Sequence, residues 1–216
     1  MITLLRIEAS ARMTRSLSRA LSDNFFETWQ SERPNDQVII RDVGLNPPTA
    51  ISENWIAGVF ADEKNLTLVQ GEEVALSDML IGELIQSDII VIATPMYNYG
   101  MPAALKAWFD QVIRINKTFS FDLARGDQPI EPIQNGKTLV ILSASGEGGL
   151  AQGGVNVTKN HLHPHILECS KLLGVEKSYC VTIEYQEFND KRHSESVRSA
   201  HASIAPLVAS IKEELP

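Results

Sequence analysis

Short, nearly unbroken aliphatic runs alternate along this chain with segments of helical period, and that alternation restricts the fold more than any other feature. Ile2–Ile7 (ITLLRI), Ile89–Ala93 (IIVIA), Thr138–Leu142 (TLVIL) and Tyr179–Ile183 (YCVTI) read as strands buried on both faces. Continuous Val, Ile and Leu is what a parallel sheet covered above and below by helices selects. Gln37–Arg41 (QVIIR) is more polar and suits an edge strand. Between them, Leu76, Leu80, Ile81, Leu84 and Ile85, and then Leu105, Trp108, Phe109, Val112 and Ile113, recur at amphipathic spacing. A helix is expected from Ser18 to about Gln30, with Leu21, Phe25, Phe26 and Trp29 inward. Near the end, Val197, Ile204, Leu207, Val208, Ile211 and Leu215 trace one stripe. Asn46–Glu63 and Phe121–Pro132 carry turn formers and read as long loops. The implied fold is α/β, a doubly wound sheet with right-handed crossovers, in one domain over residues 1–216.

Composition narrows the partners. With 44% hydrophobic residues the chain has enough apolar material for a core, which argues against disorder. The balance of 19 Lys and Arg against 27 Asp and Glu, net −8, disfavours nucleic acid and anionic membrane surfaces, which reward cations. No run approaches the roughly 18 apolar residues of a membrane span, and Met1 leads into Ile2 without a charged leader. The expectation is a soluble cytoplasmic protein. Cys169 and Cys180, eleven positions apart, do not have zinc-ligand spacing and read as two reduced, partly buried thiols.

Ligands of open α/β sheets bind beyond the carboxyl ends of the strands. After the first strand come Ser10, Arg12, Thr14, Arg15, Ser16, Leu17 and Ser18, at the start of a helix. The segment has neither GxGxxG nor P-loop spacing, but hydroxyls, arginines and free N–H groups at a helix N-terminus suit an anion; Ser16 or Ser18 would otherwise serve as an N-cap. After the third strand, Thr94-Pro95-Met96-Tyr97-Asn98-Tyr99-Gly100-Met101-Pro102 presents flat π surfaces suited to a planar heteroaromatic ring. After the fourth, Ser143-Ala144-Ser145-Gly146-Glu147-Gly148-Gly149 lets backbone approach a ligand closely.

Other motifs do not hold up. Gly136-Lys137-Thr138 ends like a P-loop but precedes a strand and lacks the upstream glycine. His161, His163 and His165 are spaced so that only the outer two share a helix face, and Pro164 interrupts them. There is no GxSxG elbow, and Cys169 falls mid-helix, so hydrolytic chemistry has no support.

Ser10 with Ser16-Leu17-Ser18 after the first strand, and Pro95-Met96-Tyr97-Asn98-Tyr99 after the third, resemble the FMN-dependent NADH-azoreductases, flavodoxin-like NAD(P)H:quinone oxidoreductases. The likeness runs nearly end to end, through Leu21-Ser22-Asp23, Leu76-Ser77-Asp78, Leu105-Lys106, Phe109-Asp110 and Thr118-Phe119. The resemblance implies a five-stranded parallel sheet of order 2-1-3-4-5 with helices on both faces. It implies FMN, with the phosphate on Ser10, Ser16, Leu17 and Ser18, the ring lined by Met96, Tyr97, Asn98 and Tyr99, and its pyrimidine end near Ser143, Ala144, Ser145 and Gly146. Tyr97 and Asn98 would position reactants, and Phe121 would act as a lid over the substrate. NADH or NADPH would deliver hydride to flavin N5, and a quinone, azo compound or nitroaromatic would collect it in a ping-pong cycle. The family is usually homodimeric, and Trp55, Phe60 and Phe121 lie where an interface would fall. Two departures stand out: Leu17 occupies a position that is often Gln, and the fourth loop is longer and acidic where Ser-Arg-Gly-Gly is common. A flavodoxin-like electron carrier without direct NADH turnover is the alternative.

Overall fold

The computed structural model describes residues 1–62, 64 and 66–215. Five strands, β1 (Thr3–Glu8), β2 (Gln37–Asp42), β3 (Ile89–Pro95), β6 (Lys137–Ala144) and β7 (Val175–Ile183), form one parallel sheet in the order β2-β1-β3-β6-β7. This is the expected order 2-1-3-4-5, with β6 and β7 as the fourth and fifth strands of the sheet. The helices are α1 (Leu17–Glu32), α2 (Glu53–Phe60), α3 (Leu68–Gln86), α4 (Ala103–Val112), α5 (His163–Lys171), α6 (Lys191–Ala202) and α7 (Ile204–Glu213).

The core lies in two layers, one on each face of the sheet. On one, Leu5, Ile7, Ile90, Ile92, Leu139 and Ile141 pack against Leu80 and Leu84 of α3, Trp108 and Phe109 of α4, and Ile166 of α5. On the other, Leu4, Ile89, Val91, Val140 and Leu142 meet Leu21, Phe25 and Trp29 of α1, and Ile204, Val208 and Ile211 of α7. Each fully buried side chain of this size stabilises the fold by about 1.5–3 kcal/mol relative to exposure. The first six residues of β3 are all buried, which is why its sequence shows no polar alternation.

Four segments depart from the sequence-based expectation. The strand expected at Tyr179–Ile183 begins at Val175 and is not buried on both faces; like β2 it is an edge of the sheet, with Glu176, Lys177, Ser178 and Cys180 exposed. Cys180 is therefore exposed rather than partly buried, while Cys169 is half-buried; neither is in a disulfide. The stretch Asn46–Glu63, expected as loop, contains α2, whose N-cap Ser52 accepts a hydrogen bond from Trp55 N at 3.0 Å; Glu63 lies outside the described residues. Gly58 sits where α2 meets α3, and a Cβ there would come within 2.9 Å of Val74. The stretch Phe121–Pro132 belongs to a small hairpin of β4 (Phe119–Phe121) and β5 (Ile130–Pro132). Arg125 ties it together, donating to Pro129 O (3.0 Å) and pairing with Glu131 (3.1 Å). The final stripe is divided at Ser203, because Pro206 has no N–H to give and its ring would strike the carbonyl one turn earlier in a continuous helix. Among the described residues, no helix is long and apolar enough to cross a membrane.

Candidate functional site

The β1–α1 loop is built around orphan donors. Ser16 caps α1, its Oγ accepting from Arg19 N at 3.4 Å, and Ser18 is buried with its Oγ 3.4 Å from that of Ser16. Among the described residues, none of the backbone N–H groups from Met13 to Ser18 donates to a protein acceptor. Free amides at the positive end of a helix dipole are what an anion requires. Ser10 Oγ accepts from Arg12 N at 3.2 Å, folding the start of the loop onto itself.

Charged groups beneath this loop brace it. Arg19 donates to the carbonyls of Ser10 (2.7 Å) and Arg12 (3.0 Å) and grips both oxygens of Asp42 (2.6 and 2.9 Å). Burial works against charge on Asp42, but the Arg19 hydrogen bonds and charge, together with backbone N–H donors that include Leu45, outweigh it and hold the carboxyl below its ordinary range. Glu8, at the end of β1, is buried; desolvation pushes its carboxyl up, even with Arg6 bonded to Oε1 at 2.7 Å. Arg12 and Arg15 have no ion pair among the described residues.

The β3–α4 loop turns back on itself. Tyr97 and Gly100 exchange both backbone hydrogen bonds at 3.0 Å, with Asn98 (φ 48°) and Tyr99 (φ 66°) between them. Two successive positive φ angles make a type I′ turn, which usually takes Asn-Gly. Tyrosine in the second position costs roughly 1 kcal/mol or more in backbone strain. Side chain and backbone both hold the turn: Tyr99 OH donates to Glu147 Oε1 at 2.7 Å, Lys159 Nζ binds Glu147 Oε2 at 3.0 Å, and His161 N donates to the backbone carbonyl of Tyr99 at 3.0 Å. The hydrogen bonds from Tyr99 and Lys159 lower the Glu147 pKa. Met96 N donates to Ala144 O at 2.8 Å, joining this loop to the end of β6.

These segments enclose a cleft of about 200 Å³ at the carboxyl edge of the sheet, lined by Ser10, Ser16, Leu17, Ser18, Met96, Tyr97, Ala144 and Gly146 of the sequence-derived set. Arg12, Arg15, Pro95, Gln186 and Glu187 complete the lining. Gln186 and Glu187 lie in the β7–α6 connection, and their position after the fifth strand is the signal that points to them. Asn98, Tyr99, Ser143, Ser145 and Phe121 do not line the cleft. Ser143 Oγ instead meets His163 Nε2 and Thr182 Oγ1, each at 2.9 Å, and Ser145 Oγ donates to Glu147 O at 2.7 Å. Period-two alternation explains the split, placing Ser143 on the face of Ile141 and Ala144 on that of Leu142. Phe121 is half exposed on the β4–β5 hairpin. His163 is held between Ser143 and Asn160 (3.0 Å), and burial lowers its pKa. A larger groove of about 760 Å³ runs along β7 between α5 and the β6–α5 connection, and shares no lining residue with the cleft.

A model of the flavodoxin-like fold matches residues 2–206. The FMN-dependent NADH:quinone oxidoreductase 2 of Colwellia psychrerythraea is 53% identical over 215 residues, spanning 96% of this chain and 98% of that protein. The chain belongs to that family. A second member, the FMN-dependent NAD(P)H:quinone oxidoreductase 1 of Pseudomonas aeruginosa, is 34% identical across 97% of this chain and 100% of its own. Among solved structures, the FMN-dependent NADH-azoreductase of Bacillus anthracis str. Ames Ancestor, in complex with FMN, superposes with a TM-score of 0.86 at 16% identity, covering 98% of this chain and 99% of that one. At that identity the likeness establishes the flavodoxin-like fold alone.

Proposed function

We propose that this chain is an FMN-dependent NADH:quinone oxidoreductase that also reduces azo compounds and nitroaromatics. The observation that carries the reading is the convergence of Arg15–Ser18, whose amides donate to no protein acceptor, with Met96, Tyr97, Ala144 and Gly146 in one cleft. Relatives named for FMN and for NADH or NAD(P)H supply the cofactor and donor. When bound, FMN supplies hydride transfer through N5, in a ping-pong cycle between NAD(P)H and the acceptor.

The chain's own part is binding and orientation. Amides Arg15–Ser18, with the hydroxyls of Ser10, Ser16 and Ser18, hold the phosphate; Arg12 and Arg15 at the rim offset its charge. Met96 and Tyr97 line the ring, and the Asn98–Tyr99 turn sets their approach. Gly146 lets backbone near the pyrimidine end: a Cβ there would already meet Glu187 Cγ at 2.6 Å. Ser143 and Ser145 stand behind the cleft and only support its wall: their side chains are engaged elsewhere, and Ser145 N donates to Ile183 O at 2.9 Å. Stacking places the acceptor, so no single side chain is expected to behave as a nucleophile.

We further propose one domain over residues 1–216, a cytoplasmic location, and a homodimer. The two free thiols support a reducing compartment. Phe60, 71% exposed, and the half-exposed Phe121 offer apolar surface for a second copy; Trp55 does not, being buried with Nε1 bonded to Gln111 Oε1 at 2.9 Å.

Changing Ser16 and Ser18 together to Ala tests the phosphate role. FMN affinity, measured by fluorescence quenching on folded protein, is expected to fall by about 1–3 kcal/mol as two charge-assisted hydrogen bonds go. Undiminished affinity would leave Ser16 a helix cap only, with a loss of about 1 kcal/mol in stability as its sole signature.

A further inference from the structure

We infer that Arg19 is a positioning residue for the phosphate loop, acting as a strut already neutralised by Asp42 and not as a ligand of the phosphate. The inference rests on the FMN reading above. Four hydrogen bonds occupy the guanidinium: Nε to Arg12 O, Nη2 to Ser10 O and Asp42 Oδ1, and Nη1 to Asp42 Oδ2. Nη1 also lies 3.8 Å from Glu8 Oε2, a buried oxygen with no hydrogen-bond partner. The side chain is only 12% exposed, Asp42 matches its charge, and four of its five N–H groups are committed before any anion arrives.

The choice of acceptors is what gives the strut its function. Both carbonyls belong to the loop, and a carbonyl turned into the cleft would repel a phosphate. Fastening them to Arg19 leaves the loop presenting donors instead, the amides of Arg15–Ser18. Asp42 also accepts from Leu45 N at 2.9 Å, so it stays in place when Arg19 is altered. Removing the guanidinium therefore frees two carbonyls and exposes one carboxylate beside the anion site. Both effects oppose a phosphate, and neither opposes an uncharged ring. Lysine keeps the charge but not the planar fork, so it cannot serve two carbonyls and two carboxylate oxygens together.

Dissociation constants for FMN and for riboflavin, which lacks the phosphate, separate these effects in wild type, R19K, R19Q and R19Q/D42N. R19Q is expected to weaken FMN by about tenfold or more and riboflavin by no more than about twofold. R19K should fall between wild type and R19Q, and D42N in the R19Q background should recover part of the FMN loss by removing the bare carboxylate. FMN bound by R19Q as tightly as by wild type, or equal losses for FMN and riboflavin, would overturn the inference while leaving the FMN reading intact. Wild type that takes up no FMN overturns that reading and this inference with it. If R19Q does not fold, the FMN-to-riboflavin ratio of R19K decides the matter in the same way.

Discussion

Gly44→Ala is expected to disable the candidate site and destabilise the fold together. Gly44 follows β2, and a Cβ there would lie 2.2 Å from the carbonyl oxygen of Ser10 and 2.6 Å from its carbon. The obstacle is backbone, so no side chain can rotate away. Either the β2–α2 connection or the β1–α1 loop must move, and the latter carries the Arg19 bond to Ser10 O. Overpacking of this kind costs about 1–3 kcal/mol or more, and FMN affinity should fall by about tenfold or more as Ser10 shifts. Denaturant unfolding and FMN quenching measure the two effects. Gly71→Ala in α3 is the control: a Cβ there meets nothing within 4 Å, and helix propensity predicts a gain of about 0.5–1 kcal/mol. A Gly44→Ala protein as stable and as FMN-competent as wild type would show that the two loops are not in register as described.

Trp108→Ala should give the largest loss of stability. Trp108 is completely buried on α4, the helix that follows the Met96–Pro102 loop, and its ring lies edge-on to Phe109 with centroids 5.0 Å apart. Truncation removes that packing and leaves a cavity, a loss of about 3–5 kcal/mol. For a chain of this size that lowers Tm by roughly 6–20 °C. Trp108→Phe should be far milder. The indole N–H is buried without a hydrogen-bond partner, so phenylalanine removes an unsatisfied donor along with the lost ring area. Equal destabilisation by the two substitutions would contradict this and point to a partner for the indole N–H.

The layers were legible because central strands buried on both faces show unbroken Val, Ile and Leu, as at Ile89–Ala93. The ends of the chain's elements were less so. α2 runs only two turns with Gly58 inside it, too short for a periodic signal. The break at Ser203 was signalled by Pro206, but the apolar stripe continues across it and conceals the stop. In the site, Ser16, Ser18, Met96 and Tyr97 were readable from their places after strands one and three. Arg19 and Asp42, or Ser10 and Gly44, were not, because each pair meets only through the sheet and neither residue carries a local signature. Ser143 shows the remaining gap: the sequence places this segment at a strand end, but strand alternation decides which of its side chains face the cleft.

The behaviour proposed for this chain is the passage of hydride from NADH to a quinone through FMN. Anaerobic titration of the FMN-reconstituted protein with NADH, followed at the flavin absorption band and then by addition of benzoquinone, tests it most directly. Bleaching by NADH and prompt recovery with quinone is the predicted result. Protein that binds FMN but is not bleached by NADH would contradict the claim and favour an electron carrier, and protein that takes up no FMN would leave the flavodoxin-like fold without the chemistry.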